Sequence, residues 1–187
     1  MSSGFPDDPF WDFSLAVYGT EGVPAACLDL QERYQIDVNL LLWCLWRGSA
    51  GYPALSAEDL ARAETRIGDW HANVVRHVRW LRQHLKAPYP HVDADLQQSL
   101  RARLQKIEID AEHLEQLTLA SMAREGKADS GGDANATIAA ANAALYLKAA
   151  GAGADHDAAE SNAAILVAAF AEMPARDARE IALKAML

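Results

Sequence analysis

Asp37-Val38-Asn39-Leu40-Leu41-Leu42-Trp43-Cys44-Leu45-Trp46, followed by Arg47-Gly48, is the stretch on which the fold turns. Asp37 is a good N-cap, because its carboxylate can accept a hydrogen bond from an orphan backbone N–H one turn on. Ile36 and Leu41 stand at the two positions of a hydrophobic staple. Arg47 suits the negative end of the helix dipole, and Gly48 can take a left-handed stop. Between the caps, apolar side chains point in every direction. A helix that is apolar all round must be surrounded by protein or lipid, and this one is far too short to span a bilayer, which needs ~20 apolar residues. It therefore reads as a buried core helix around which other elements wrap.

Those elements also read as helices. Pro9 opens a short helix crowded with Phe10, Trp11, Phe13, Leu15 and Tyr18, broken at Gly19 to Gly22. Pro24 starts a second, since proline is tolerated in a first helical turn, and it runs to about Tyr34. After the break at Gly48 to Pro53, Ser56 and Asp59 form a capping-box-like start to a long helix that reaches about Lys86. Along it, Leu60, Ile67, Val74, Val78, Leu81 and Leu85 recur at steps of three and four, with Glu64 and His71 in the same seam. A turn at Ala87 to His91 leads to a second long helix, about Asp93 to Arg124. Its apolar side reads as Leu96, Leu100, Leu104, Ile107, Ala111, Leu114 and Met122.

The expected architecture is all-α: a multi-helix bundle with a long antiparallel helical hairpin around the short buried helix. Residues 1–125 form the main domain, 126–133 a flexible linker, and 134–187 an alanine-rich helical cap with helices near 135–150, 157–173 and 174–187. Alanine favours helix but buries little surface, so these helices must dock on the main body. No alternating, β-branched strand pattern occurs.

Composition narrows the setting. The 187 residues are 51% hydrophobic, enough for a sizeable core, and the formal charge is −9. That balance opposes nonspecific contact with nucleic acid or anionic membranes. The segment from Ser56 to Val92, with six basic residues against four acidic, is a weak exception. The N-terminus has neither a basic region nor an apolar run, so it does not read as a signal peptide. Cys27 and Cys44 lie among apolar neighbours and read as free thiols in a reducing cytoplasm.

Signatures of chemistry are sparse. No phosphate-cradling glycine loop and no nucleophile elbow occur. Asp110 and His113 share a helix face at half-site spacing, but no matching Glu-x-x-His exists, so they read as a solvated charged face. Asp155-His156-Asp157 reads as a helix cap. His71, in the apolar seam, reads as a hydrogen-bonded core histidine. No cofactor or metal is expected.

Two surfaces remain. On the first long helix, Arg76 and Arg79 fall away from the seam, His77 and His84 lie one heptad apart beside it, and Trp80 stands almost opposite. Either the N-terminal aromatic segment covers Trp80 or a partner meets it. The leading expectation is a non-enzymatic interaction or adaptor protein that binds a partner, or itself, through Trp80, His77, His84, Arg76 and Arg79. The alternative is an enzyme or small-ligand-binding bundle with a pocket lined by Trp43, Trp46, Glu64 and His71.

The run Phe10-Trp11-Asp12-Phe13-Ser14-Leu15-Ala16-Val17-Tyr18, with Gly22-Val23 and Ala26-Cys27-Leu28, resembles the signature of a small bacterial family catalogued as a conserved domain of unknown function, as does the stretch from Asp37 to Trp46. The resemblance is most specific over residues 10–47 and continues to about 125. It implies a bacterial cytosolic protein and supplies no activity, cofactor or catalytic residue.

Overall fold

A computed structural model describes residues 4–125 and 133–187. Among them are nine α-helices, one π-helical turn and no strand. In chain order these are α1 (Pro9–Tyr18), α2 (Val23–Tyr34), α3 (Val38–Ser49), α4 (Ala57–Trp70), the π turn (His71–Val75), α5 (Arg76–His84), α6 (Ala94–Glu125), α7 (Ala136–Ala149), α8 (His156–Ala169) and α9 (Ala175–Met186). No helix among the described residues is long and apolar enough to cross a membrane. The linker expected at 126–133 lies, apart from Asp133, outside the described residues.

Helix α3 is the centre. Every residue from Asn39 to Gly48 is buried. Asp37 caps it, its side chain accepting from the Asn39 N–H at 2.9 Å. Its large side chains bury ~1.5–3 kcal/mol each of apolar surface, and they do so against α1, α6, α7 and α8. The most extensive of these contacts is with α7, whose Ala139, Ala140, Ala143 and Ala144 are buried. Small side chains on α7 let the two backbones approach closely. Asn142 on α7 then ties the pair together, accepting from the Leu55 N–H at 2.8 Å and donating to the Cys44 carbonyl at 3.2 Å. Helices α8 and α9 pack on α7, and α8 also reaches α2 and α1, so the alanine-rich helices share one core with the N-terminal ones.

Two residues of the opening stretch act otherwise than their local sequence suggests. Gly48 is not a left-handed stop. The helix continues to Ser49, and the left-handed residue is Gly51, at φ +76°. Gly48 instead lies where α3 meets α7: a Cβ there would stand 2.4 Å from the Ala139 backbone nitrogen. Its carbonyl accepts from the Asn135 N–H at 2.9 Å. Arg47 is not a solvated dipole cap. It is buried, with its guanidinium 5.2 Å from the ring centres of both Trp43 and Tyr52.

The helical limb α4–π turn–α5 runs antiparallel to α6. Trp70 Nε1 donates to the Ala111 carbonyl at 3.0 Å, Arg79 pairs with Glu108 at 3.0 Å, and Gln97 Nε2 donates to the Leu85 carbonyl at 3.1 Å. The limb is not one continuous α-helix. At His71 the backbone widens, and the Arg76 N–H bonds to the His71 carbonyl five residues back. One residue inserted in this way rotates everything downstream by about 100°. The expected seam of Val74, Val78, Leu81 and Leu85 is therefore displaced. Val75 is buried rather than Val74, Leu81 is exposed, and Arg79 and Arg82 turn inward to α6.

Helix α6 answers with a polar inner face. Gln97, Glu108, Glu115 and Gln116 are buried, whereas Leu96, Leu100, Ile107 and Leu114, expected to face the core, are exposed. Reading the apolar residues as the inner side fails where α6 meets the basic α5; Ala111 is buried as expected, and toward the C-terminus Leu119, Ala120 and Ala123 form an apolar inner face.

Gly48→Ala is expected to destabilise the fold by about 1–3 kcal/mol, the usual cost of forcing a methyl into a packed site. Gly51→Ala costs about 1 kcal/mol through its positive φ instead. Urea unfolding monitored by circular dichroism measures both.

Candidate functional site

The site begins at the cap of α3. A helix buried all round carries its N-cap inward, so Asp37 is only 8% exposed. Oδ1 of Asp37 takes the Asn39 N–H, and its backbone N–H donates to the Tyr146 hydroxyl of α7 at 2.7 Å. Across from it stands His71, the first residue of the π turn, with Nδ1 3.0 Å from Asp37 Oδ2 and 3.2 Å from Glu115 Oε2. Glu115 comes from α6 and has no exposed side-chain surface. Its other oxygen, Oε1, accepts from Asn39 Nδ2 at 2.8 Å, and Gln116 Nε2 donates to Asn39 Oδ1 at 2.8 Å. Asn39 thus fixes both carboxylates, and Gln116 fixes Asn39.

One N–H on Nδ1 faces two carboxylates. Hydrogen-bond geometry is met toward Glu115, and Asp37 Oδ2 is left buried without a donor. The electrostatics follow. Burial opposes a charged imidazole at His71, but the two close carboxylates, Asp37 and Glu115, outweigh it and raise the pKa to about 9. Burial raises Glu115, and the adjacent Asp37 charge adds to it against the hydrogen bonds from His71 and Asn39, which brings Glu115 to about 7. Asp37 goes the other way: its burial is outweighed by the close His71 imidazolium, so it stays below its usual range. Burial and the Asp37 charge push the Tyr146 hydroxyl well above its ordinary value. At neutral pH the cluster holds an imidazolium, one carboxylate and one carboxyl group near its midpoint. The donor atoms of Asp37, His71 and Glu115 all lie within 4.8 Å of one another, the spacing of groups that can share a metal ion.

Above the cluster is a cavity of about 380 Å³. Its floor is Asp37, His71 and Tyr146; its walls include Glu32, Ile36, Leu40 and Glu64; its rim carries Arg76, Arg79 and Trp80. A family model described as "Protein of unknown function (DUF2390)" matches residues 9–119. The chain belongs to that family. No curated protein and no solved structure matches it. The matched span holds Asp37, Asn39, His71 and Glu115 and ends before Tyr146.

The residues singled out from sequence are redistributed. Glu64, His71, Arg76, Arg79 and Trp80, assigned above to two separate surfaces, line the one cavity. Trp43 and Trp46 do not line it. They are buried core, with Trp46 5.1 Å from Phe10 and 5.4 Å from Tyr52 between ring centres. Trp80 is 56% exposed. The N-terminal aromatics do not cover it, because Phe10 is drawn to Trp46 and Trp11 stacks on His113 at 4.0 Å. His113 is accordingly buried rather than part of a solvated face. Arg79 is not available to a partner: it pairs with Glu108 at 3.0 Å and Glu112 at 2.5 Å. His77 bonds through Nδ1 to the Ala72 carbonyl within the π turn, and His84 to the Trp80 carbonyl, both at 2.9 Å. Arg76 makes no ion pair among the described residues.

Asp37, Asn39, Glu115 and Tyr146 were missed as site residues. Asp37 reads locally as a cap and nothing more. The signal that could have exposed the cluster is Asn39, a polar side chain inside a helix apolar all round, which must find buried partners.

Both His71 and Glu115 hold protons more tightly folded than unfolded. Their contribution to stability is full below about pH 4.5 and is lost as pH rises through about 7 and 9. Chelator-treated protein should therefore lose stability steadily as pH rises from 5 to 9. Melting curves across that range check it: the double variant His71→Gln, Glu115→Gln should lack the slope, and a variant that keeps it disproves the assignment.

Proposed function

We propose that the protein binds a small polar ligand in the cavity above His71. One observation carries this reading: the imidazole, a carboxylate, an unpaired arginine and an exposed tryptophan converge on one concave space. Its volume of about 380 Å³ lies within the ~300–1,000 Å³ of small-molecule sites. Arg76 at the rim and the His71 imidazolium at the floor favour a ligand with an anionic group, and Trp80 offers an aromatic face for a flat or apolar portion. The amide side chains of Gln31, Gln35 and Gln83 supply further donors and acceptors around the wall. A π turn that starts at His71 on the floor fits this use, since such bulges frequently mark functional positions.

A second reading, docking of a partner protein or of another copy, draws on the exposure of Trp80 and on the exposed row Leu96, Leu100, Ile107 and Leu114 of α6. It uses Trp80, Arg76, His77 and His84 but not Arg79, which is held by α6. A cytosolic setting accords with two buried free thiols, Cys27 and Cys44.

The test is saturation-transfer NMR of the full chain against a panel of small carboxylates and phosphates. The expected result is at least one binder whose affinity falls about tenfold or more in Trp80→Ala and in Arg76→Ala, corresponding to ~1.4 kcal/mol per lost contact. Folded wild-type protein that takes none of them, or binding indifferent to both substitutions, refutes the pocket. If the same two substitutions abolish self-association or partner capture without any small-ligand effect, the docking reading replaces it.

A further inference from the structure

We propose that Asp37 Oδ2, His71 Nδ1 and Glu115 Oε2 form a binding site for one divalent first-row transition ion, such as Zn²⁺ or Mn²⁺, at the floor of the cavity. Donors bonded at about 2.0–2.2 Å sit about 3.0–3.6 Å apart around a tetrahedral or octahedral ion. The two measured separations from His71 Nδ1, 3.0 and 3.2 Å, fall in that range. The three donors come from the cap of α3, the start of the π turn and the middle of α6, so none rests on a loose loop.

The neighbours are arranged as metal ligands require. Each carboxylate is anchored through one oxygen and turns the other toward Nδ1. Asp37 Oδ1 is held by the Asn39 backbone N–H and Glu115 Oε1 by the Asn39 side chain, which Gln116 locks in turn. Such outer partners orient ligands and are part of a metal site's affinity. Asp37 Oδ2 is the independent sign. It is buried, it points into the cluster, and no donor among the described residues meets hydrogen-bond geometry toward it, His71 Nδ1 meeting that geometry toward Glu115. A dication bonded to both buried carboxylates, with neutral imidazole as third ligand, serves all three groups and balances the charge. One nitrogen with two carboxylate oxygens suits Zn²⁺, Mn²⁺ or Fe²⁺ better than Ca²⁺ or Mg²⁺, which take all-oxygen sets. Three protein ligands leave coordination positions open, and Asp37 and His71 border the cavity, so those positions face it.

Metal uptake at the cluster does not require a ligand in the cavity, so the two are measured separately. The full chain, stripped with chelator, is titrated calorimetrically with Zn²⁺ and with Mn²⁺, and Co²⁺ uptake is followed by visible absorption. The expected result is one ion per chain and a higher melting temperature on binding. Asp37→Asn and Glu115→Gln keep size and capping geometry, and each should weaken binding more than about 100-fold; Asn39→Ala, which disturbs only the orientation, should weaken it about 10- to 100-fold. His84→Ala and Trp80→Ala should bind the ion as wild type does, while Trp80→Ala loses the small ligand. Should a cluster variant fail to fold, Mn²⁺ line broadening in the wild-type NMR spectrum, centred on His71 and its neighbours, decides. Stoichiometric binding that is lost in the carboxylate variants establishes the site. No uptake of any of the three ions, uptake unchanged in Asp37→Asn and Glu115→Gln, or broadening centred elsewhere overturns it.

Discussion

A helix that is apolar on every side has nowhere to present its ends except to other protein, and this constraint on α3 governs the molecule. Ten consecutive buried residues demand neighbours on all faces, and those neighbours are α1, α6, α7 and α8. The same burial carries the capping carboxylate inward. Asp37 must be charged to serve the helix dipole and must find partners because it is out of water. His71 and Glu115 meet that need only in part. The core and the candidate site are thus one arrangement: the cap of the buried helix is also the floor of the cavity.

The close approach of α3 and α7 shows the same economy. Alanines on α7 give up side-chain area, and Gly48 gives up its Cβ, so that the two backbones come near enough for Asn142 and Asn135 to bond to the backbone of α3 and the segment just after it. The alanine-rich composition is therefore a packing device. It also brings Tyr146 to the Asp37 N–H, which places a residue beyond the matched family span beside the cluster.

The π turn decides what faces what along the long limb. Before it, Leu60 and Ile67 are buried as expected, with Ala63 rather than Glu64 between them. After it, every side chain is rotated by one residue. Arg79 and Arg82 turn into the limb's contact with α6, where Glu108 and Glu112 receive them, and Leu81 turns out. This polar seam explains why Leu96, Leu100 and Leu114 of α6 are on its outer side, whereas Leu119, beyond the seam, is buried. It also sets the rim of the cavity, leaving Arg76 and Trp80 beside His71 rather than on a separate face.

Much of this was determined by the sequence alone. The all-helical class, the buried helix, the caps at Asp37, Ser56 and Asp155, and the breaks between helices all follow from local rules: apolar periodicity, hydrogen-bonding side chains at helix starts, and glycine or proline at their ends. His71 and Glu64 could be marked as neighbours because they share one helix. Only the tertiary structure decided the rest. Asp37, His71 and Glu115 lie far apart in the chain and on three different elements, and no local pattern records that they meet. The π turn is a backbone adjustment of one residue, invisible in the spacing, yet it turns the inner side of the limb by about 100°. A helix's own sequence says how wide its apolar face is; which face is covered depends on the shape and charge of the neighbour it meets.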